Sequence, residues 1–125
     1  MTKKTEYHPN TKQLRYEKEY NENNQLHGIS YSWYLNGQLK EEAYYINGEK
    51  NGTQKTYYNN GIMKMYCNWK DNNLNRMYKF WYPNGNLKRK HYYKNGVLHG
   101  FSEEYNEDGK LISEVKWING NKIDY

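Results

Sequence analysis

A 24-residue period runs through the chain and constrains its fold more than any other feature. Written in blocks, it reads LKEEAYYINGEKNGTQKTYYNNGI from Leu39, MKMYCNWKDNNLNRMYKFWYPNGN from Met63 and LKRKHYYKNGVLHGFSEEYNEDGK from Leu87. A partial block starts at Leu111, and the block from Leu14 matches with one extra residue near Asn24. The lead-in from Tyr7 to Thr11, YHPNT, resembles the half-repeat WYPNG from Trp81 to Gly85. Three columns are aromatic or aliphatic: Leu39, Met63, Leu87 and Leu111; Tyr45, Trp69, Tyr93 and Trp117; and Trp33, Tyr57, Trp81 and Tyr105. A fourth holds Gly37, Gly61, Gly85 and Gly109. A short period of this kind means one supersecondary unit stacked on its neighbours, because no single unit can bury its own apolar side.

Each block carries two turn signals, Asn-Gly or Asp-Gly steps that supply positive φ at little steric cost. The stretches between them are rich in Tyr, Trp and Thr and read as strands. Short connections allow only antiparallel pairing, since parallel strands need long crossovers. The expected fold is therefore all-β: an antiparallel meander of hairpin repeats forming an elongated, twisted single sheet. It is a single domain over residues 1–125, about nine strands and roughly 40 Å long at the usual strand spacing.

Period-two alternation assigns faces. In the first strand of each block, Leu39, Glu41, Ala43 and Tyr45 share a face, as do Met63, Met65, Cys67 and Trp69. Setting Tyr57 opposite Met63 adds the Trp33, Tyr57, Trp81 and Tyr105 column to that face, with the parity of Ile29, Thr53, Met77 and Phe101. The core is predicted there, with its structural residues in the three columns named above. The other face then carries Lys40, Lys64, Lys88 and Lys90 among Tyr44, Tyr58, Tyr66, Tyr82 and Tyr92.

Composition narrows the function. Mean hydropathy is -1.39, a value that usually leaves too little apolar surface to offset chain entropy. Sixteen Tyr, four Trp and two Phe supply that surface instead, so the core is aromatic. One cysteine, Cys67, excludes an intramolecular disulfide and fits a reducing compartment. The start, MTKKTEYHPNTK, has charge but no apolar stretch behind it, and no run spans a bilayer. These features read as soluble and cytoplasmic.

Chemistry is not suggested by any constellation. His27 and His99 precede repeat glycines and read as turn residues. His91 shares the column of Ala43, Cys67 and Val115 and reads as packed, and His8 lies in the fraying start. One Cys with scattered His does not make a zinc site. Glu41-Glu42 and Glu103-Glu104 are adjacent on strands and point to opposite faces, so neither pair can work as acid and base on one bond. No enzyme, metal or cofactor is expected.

Charge is more informative. Between residues 63 and 100 there are eight Lys and Arg against Asp71 alone, whereas residues 101–125 hold three basic and six acidic side chains. Lysines alternating with tyrosines suit an acidic protein partner, a single-stranded nucleic acid or an anionic lipid surface, and equally a solvated face that blocks aggregation. Exposed Tyr is enriched at protein interfaces, which favours the protein. The partner-binding candidates are Lys64, Tyr66, Lys88, Lys90, Tyr92, Tyr58 and Tyr82.

The pattern L-K-x-x-x-x-Y-x-N-G-x-x-x-G-x-x-x-x-Y-Y-x-N-G resembles the MORN-repeat superfamily. Segments such as YYKNGVLHG (Tyr92 to Gly100) and WYPNGNLK (Trp81 to Lys88) are similar to the variant repeat of bacterial YwqK-like antitoxin proteins and of giant-virus MORN-repeat proteins. The pattern departs at Asn72 and Arg76, where glycine is expected, and at Asn106, where Tyr is usual. The resemblance implies an extended non-catalytic binding surface: an antitoxin or immunity protein that masks a partner, or else a structural scaffold or membrane-apposed tether.

Overall fold

The computed structural model describes residues 1–124. Twelve strands and no helix occur among them: β1 (Thr2–Tyr7), β2 (Leu14–Tyr20), β3 (Leu26–Trp33), β4 (Leu39–Ile46), β5 (Glu49–Tyr57), β6 (Met63–Lys70), β7 (Asn73–Trp81), β8 (Leu87–Lys94), β9 (Val97–Leu98), β10 (Gly100–Tyr105), β11 (Leu111–Ile118) and β12 (Asn121–Ile123). They form one antiparallel sheet in chain order, with β9 a short extension that pairs β8. The predicted meander is this fold. At the usual strand spacing it is roughly 50 Å long, and the charged start, expected to fray, is its first strand.

The turns behave as their residues require. At the loops ending in Gly37, Gly61, Gly85 and Gly109, each glycine N–H donates to the carbonyl three residues back. The extra residue near Asn24 is absorbed in a wider turn, where Asn24 has φ 60° and its N–H reaches the Asn21 carbonyl at 3.0 Å.

Both departures from glycine in the third block fall at left-handed backbone. Asn72 has φ 66°, which Asn tolerates through its short polar side chain. Arg76 has φ 67° and sits opposite Tyr93, where Gly52 sits opposite Trp69 with φ 98°. A Cβ on Gly52 would lie 3.5 Å from Tyr44 Cβ, an ordinary contact, so at this position backbone conformation and not space is what asks for glycine. Arg76→Gly is therefore expected to raise stability by about 0.5–1 kcal/mol, relief of strain exceeding the added unfolded-state entropy. Urea unfolding checks this; a lower midpoint would mean the arginine side chain contributes more than its backbone costs.

A sheet without a second layer has to bury residues sideways. One cross-sheet row, Ser30, Ala43, Gln54, Cys67, Tyr78 and His91, is linked pair by pair through the ladders, and Ser102 with Val115 continues it. Cys67 is 0% exposed and Ala43 1%, and Ser30, Gln54 and Ser102 are the buried polar residues among those described. Tyr45, Trp69, Tyr93 and Trp117 flank this row and are half-buried. Small residues in the middle are thus covered by large rings leaning in from the side. Gln54 ties the two together, its Oε1 accepting from Trp69 Nε1 at 2.8 Å.

The face assignment is corrected in part. Near each loop the register slips, as between Thr56 and Tyr57: Thr56 is opposite Met65, yet Tyr57 is opposite Met63. The same slip recurs at Trp33, Trp81 and Tyr105. A bulge inserts one unpaired residue and breaks alternation, so residues on either side of it change faces. Trp33 stacks on Tyr31 at 5.7 Å, and Tyr31 lies opposite Glu42, on the side away from Ala43. Tyr105 likewise donates to Glu103, which lies opposite Glu114. Trp33, Tyr57, Trp81 and Tyr105, with their partners Leu39, Met63, Leu87 and Leu111, therefore form a row on the face opposite Cys67. Most of them are half-buried and Leu111 is 50% exposed. Ile29, Thr53, Met77 and Phe101 lie on that face too, and Phe101 is 46% exposed.

Candidate functional site

The two faces carry different chemistry, and the sheet register decides which lysine belongs to which. Lys64 Nζ lies 5.6 Å from the Tyr58 ring. Lys88 Nζ lies 5.4 Å from Tyr82 and 5.7 Å from Phe80. Phe80 is opposite Met65, so these lysines and Tyr58 and Tyr82 are on the Cys67 face, turned there by the bulge. Tyr66, Lys90 and Tyr92 are on the other. The predicted single patch of Lys64, Tyr66, Lys88, Lys90, Tyr92, Tyr58 and Tyr82 is therefore split between two sides of the sheet.

On the Cys67 face the tyrosines of this set have a structural task. Tyr34 Oη donates to the Tyr57 carbonyl at 2.7 Å, Tyr58 to Trp81 at 2.5 Å and Tyr82 to Tyr105 at 2.8 Å. The rung before them is His8, whose Nε2 donates to the Trp33 carbonyl at 2.8 Å. Each rung joins one repeat to the next. A parallel set of rungs runs through the loops, where Asn36, Asn60 and Asn84 amides donate to the carbonyls of Asn59, Pro83 and Glu107. His27 and His99 hold the opposite turns, their Nδ1 atoms accepting from the N–H of Asn47 and Asn119.

On the Tyr66 face one row crosses nine strands: Glu17, Tyr31, Glu42, Lys55, Tyr66, Lys79, Lys90, Glu103 and Glu114, each opposite the next. The lysines occupy the middle and carboxylates both ends. Lys79 and Lys90 are directly opposed, a like-charge pairing that costs stability. None of the ion pairs within 4 Å among the described residues involves Lys55, Lys79 or Lys90. At the acidic end, burial and then Glu42 raise the Tyr31 hydroxyl above its ordinary pKa. Beside Lys55 opens a groove of about 600 Å³ lined by Tyr44, Ile46, Gly52, Thr53 and Tyr66. Tyr44 and Ile46 are exposed apolar side chains here, and Tyr92 is exposed further along the same face. Lys55 and Lys79 were missed as site residues because counting charge along the chain does not reveal rows across a sheet.

Nucleophilic chemistry at Cys67 is opposed by its surroundings. Burial pushes its thiol up to about 11, and the thiolate is the reactive form. No group of three His, Cys, Asp or Glu close enough to hold a metal occurs among the described residues. No helix long and apolar enough to cross a membrane occurs among the described residues.

No curated protein matches the chain in sequence. The MORN repeat variant family matches at residues 26–47, 50–71, 77–97 and 98–119, each match spanning the hairpin around an Asn-Gly-type turn. These units are offset from blocks that start at Leu39, as expected of a tandem array with no privileged starting point. With well over half of its length matched in four consecutive copies, the chain belongs to the MORN repeat variant family.

Proposed function

We propose that this protein is a non-catalytic binding module whose contact surface is the Tyr66 face, and that its partner is a protein with an acidic patch. The observation that carries this reading is the central cluster of Lys55, Lys79 and Lys90, none of them in an ion pair within 4 Å among the described residues, beside an aromatic groove. Opposed lysines lower the stability of the sheet, and an anionic partner offsets that repulsion. Their setting favours a compact acidic surface over a continuous polyanion. A nucleic-acid strand lying along the row would meet Glu17 and Glu42 at one end and Glu103 and Glu114 at the other. The groove suits an apolar or aromatic anchor, the kind of side chain that dominates interface energetics.

The concrete form of this function is an antitoxin or immunity protein that occludes its target. A toxin gene beside this one would support that form, and a capsid-assembly setting would favour a scaffold. The direct test is Lys55→Gln, Lys79→Gln and Lys90→Gln together. Binding of the protein that co-purifies from the native host should fall at least tenfold and lose its salt dependence, because charge complementarity governs encounter and partner choice. Thermal stability should change little, since relief of the Lys79–Lys90 repulsion is offset by loss of the Lys55–Glu42 and Lys90–Glu103 pairings. Single-stranded oligonucleotides and anionic vesicles titrated alongside should bind weakly to both forms. Tighter binding of either of these than of the protein, lost in the triple variant, would sink the protein reading; undiminished binding would show that the lysine row is not the contact.

A further inference from the structure

A sheet buries its apolar side chains fully only against a second layer, and the chain's strands all lie in one sheet. Two rows of the Tyr66 face, read across β2 to β7, are self-complementary about the line between β4 and β5. The first is Glu17, Tyr31, Glu42, Lys55, Tyr66 and Lys79, one residue per strand. Reversed about that line, it sets Glu17 on Lys79, Tyr31 on Tyr66 and Glu42 on Lys55. The second, beside the bulges, is Leu14, Trp33, Leu39, Tyr57, Met63 and Trp81. The same reversal sets Leu14 on Trp81, Trp33 on Met63 and Leu39 on Tyr57. All six are half-buried, so each has apolar area left to cover.

We infer that the Tyr66 face docks a second copy of this chain, face to face, about a two-fold axis parallel to the strands and lying between β4 and β5. This deepens the reading above, since the acidic partner is the chain itself, and it rests on that face being the contact surface. Such an axis keeps height along the strands, so each row meets the same row of the other copy in reverse strand order. Every cross pair then occurs twice. Charge fixes where the axis falls. An axis through β4 would set Glu42 on its own counterpart, and one through β5 would do the same to Lys55. Beyond the six strands Lys90 meets the uncharged Thr5 of β1. Glu17 gives Oε1 to Lys3 at 3.2 Å and keeps Oε2 for the second copy's Lys79. The groove of about 600 Å³ opens at the axis, where the exposed Tyr44 and Ile46 of one copy meet the groove of the other. The apolar row and the groove supply the driving force. The ion pairs set register more than affinity, because desolvation offsets much of their attraction. Six strands by about seven residues make a face of roughly 29 by 23 Å, of the order of the ~800 Å² that each partner gives up in a stable complex.

Sedimentation velocity of the full chain over a concentration series should show a monomer–dimer equilibrium. Glu17→Lys and Lys79→Glu each put like charges at two contacts of the dimer, and each alone should raise its dissociation constant at least tenfold. Melting temperatures close to the parent's show that both variants are folded. An equimolar mixture of the two restores lysine against glutamate at both contacts and should dimerise about as tightly as the parent. Within one chain positions 17 and 79 are five strands, roughly 24 Å, apart, so this rescue can only pass between molecules. A parent that stays monomeric into the millimolar range overturns the inference, as does a monomeric mixture of folded variants when the parent dimerises. A monomeric parent whose host partner still depends on Lys55, Lys79 and Lys90 overturns the dimer alone. Dimers that obey the mixing rule, beside a host partner indifferent to those lysines, support the dimer and count against the reading above.

Discussion

Trp69→Ala is expected to cost about 3–4 kcal/mol, toward the lower part of the range for large aromatic truncations because the ring is only half-buried. Three losses coincide at this site. The ring that covers the Gln54–Cys67 row disappears, the indole N–H leaves Gln54 Oε1, and Lys50 Nζ loses the ring it sits 4.8 Å from. The neighbouring repeats supply walls on both sides, so little can collapse into the gap. Trp117→Ala should cost about half as much, since its Nε1 has no partner to lose and only the short β12 lies beyond β11. Urea denaturation of the two variants makes the comparison. Alkylation of Cys67 in native buffer is a second readout: slow in the parent chain, where burial raises the thiol to about 11, and faster in Trp69→Ala. Equal midpoints with unchanged thiol reactivity would mean that the row is not covered by Trp69.

Replacing Tyr34, Tyr58 and Tyr82 together with Phe should cost about 2–4 kcal/mol, from three hydroxyl–carbonyl bonds worth about 0.5–1.5 kcal/mol each. Ring packing is retained, so the loss reports the rungs alone. Stability in a stacked array depends on the interfaces between units, and these bonds are interface bonds. Unfolding followed by tryptophan fluorescence and by circular dichroism should therefore separate into non-coincident transitions in the triple variant and coincide in the parent. A variant within about half a kcal/mol of the parent, with one shared transition, would show that the hydroxyls could bond water equally well.

What could be read from the chain divides along a physical line. The repeat, the strands and the turns were legible because glycine and asparagine mark most of the positive-φ positions, and a column of four in-phase aromatics marks each of the two strands of the repeat. Faces were legible only away from the bulges. Alternation placed Ala43, Cys67, Tyr45 and Trp69 together correctly, then failed at Lys64 and Lys88, because a slipped residue in this bulge leaves no composition of its own. The candidate site inherited that failure: Tyr66, Lys90 and Tyr92 are on the proposed contact face, and Lys64, Lys88, Tyr58 and Tyr82 are not. Lys55 and Lys79 emerge only from cross-strand pairing, Lys55 lying outside the basic segment altogether. His8 had a signal after all, since YHPNT matches WYPNG with histidine in the place of the rung tyrosine.

The rungs also give the molecule a direction in time. Every donor, from His8 to Tyr82, reaches toward a carbonyl 23 to 25 residues later in the chain, and none reaches back. On a ribosome, a repeat that has just emerged holds its hydroxyl in water until the next one arrives to receive it. At these rungs each completed hairpin is tied down by its successor, whereas the opposite turns tie the newcomer to what is already folded, the Gly48, Gly96 and Gly120 N–H groups reaching back to the Leu26, Leu74 and Leu98 carbonyls.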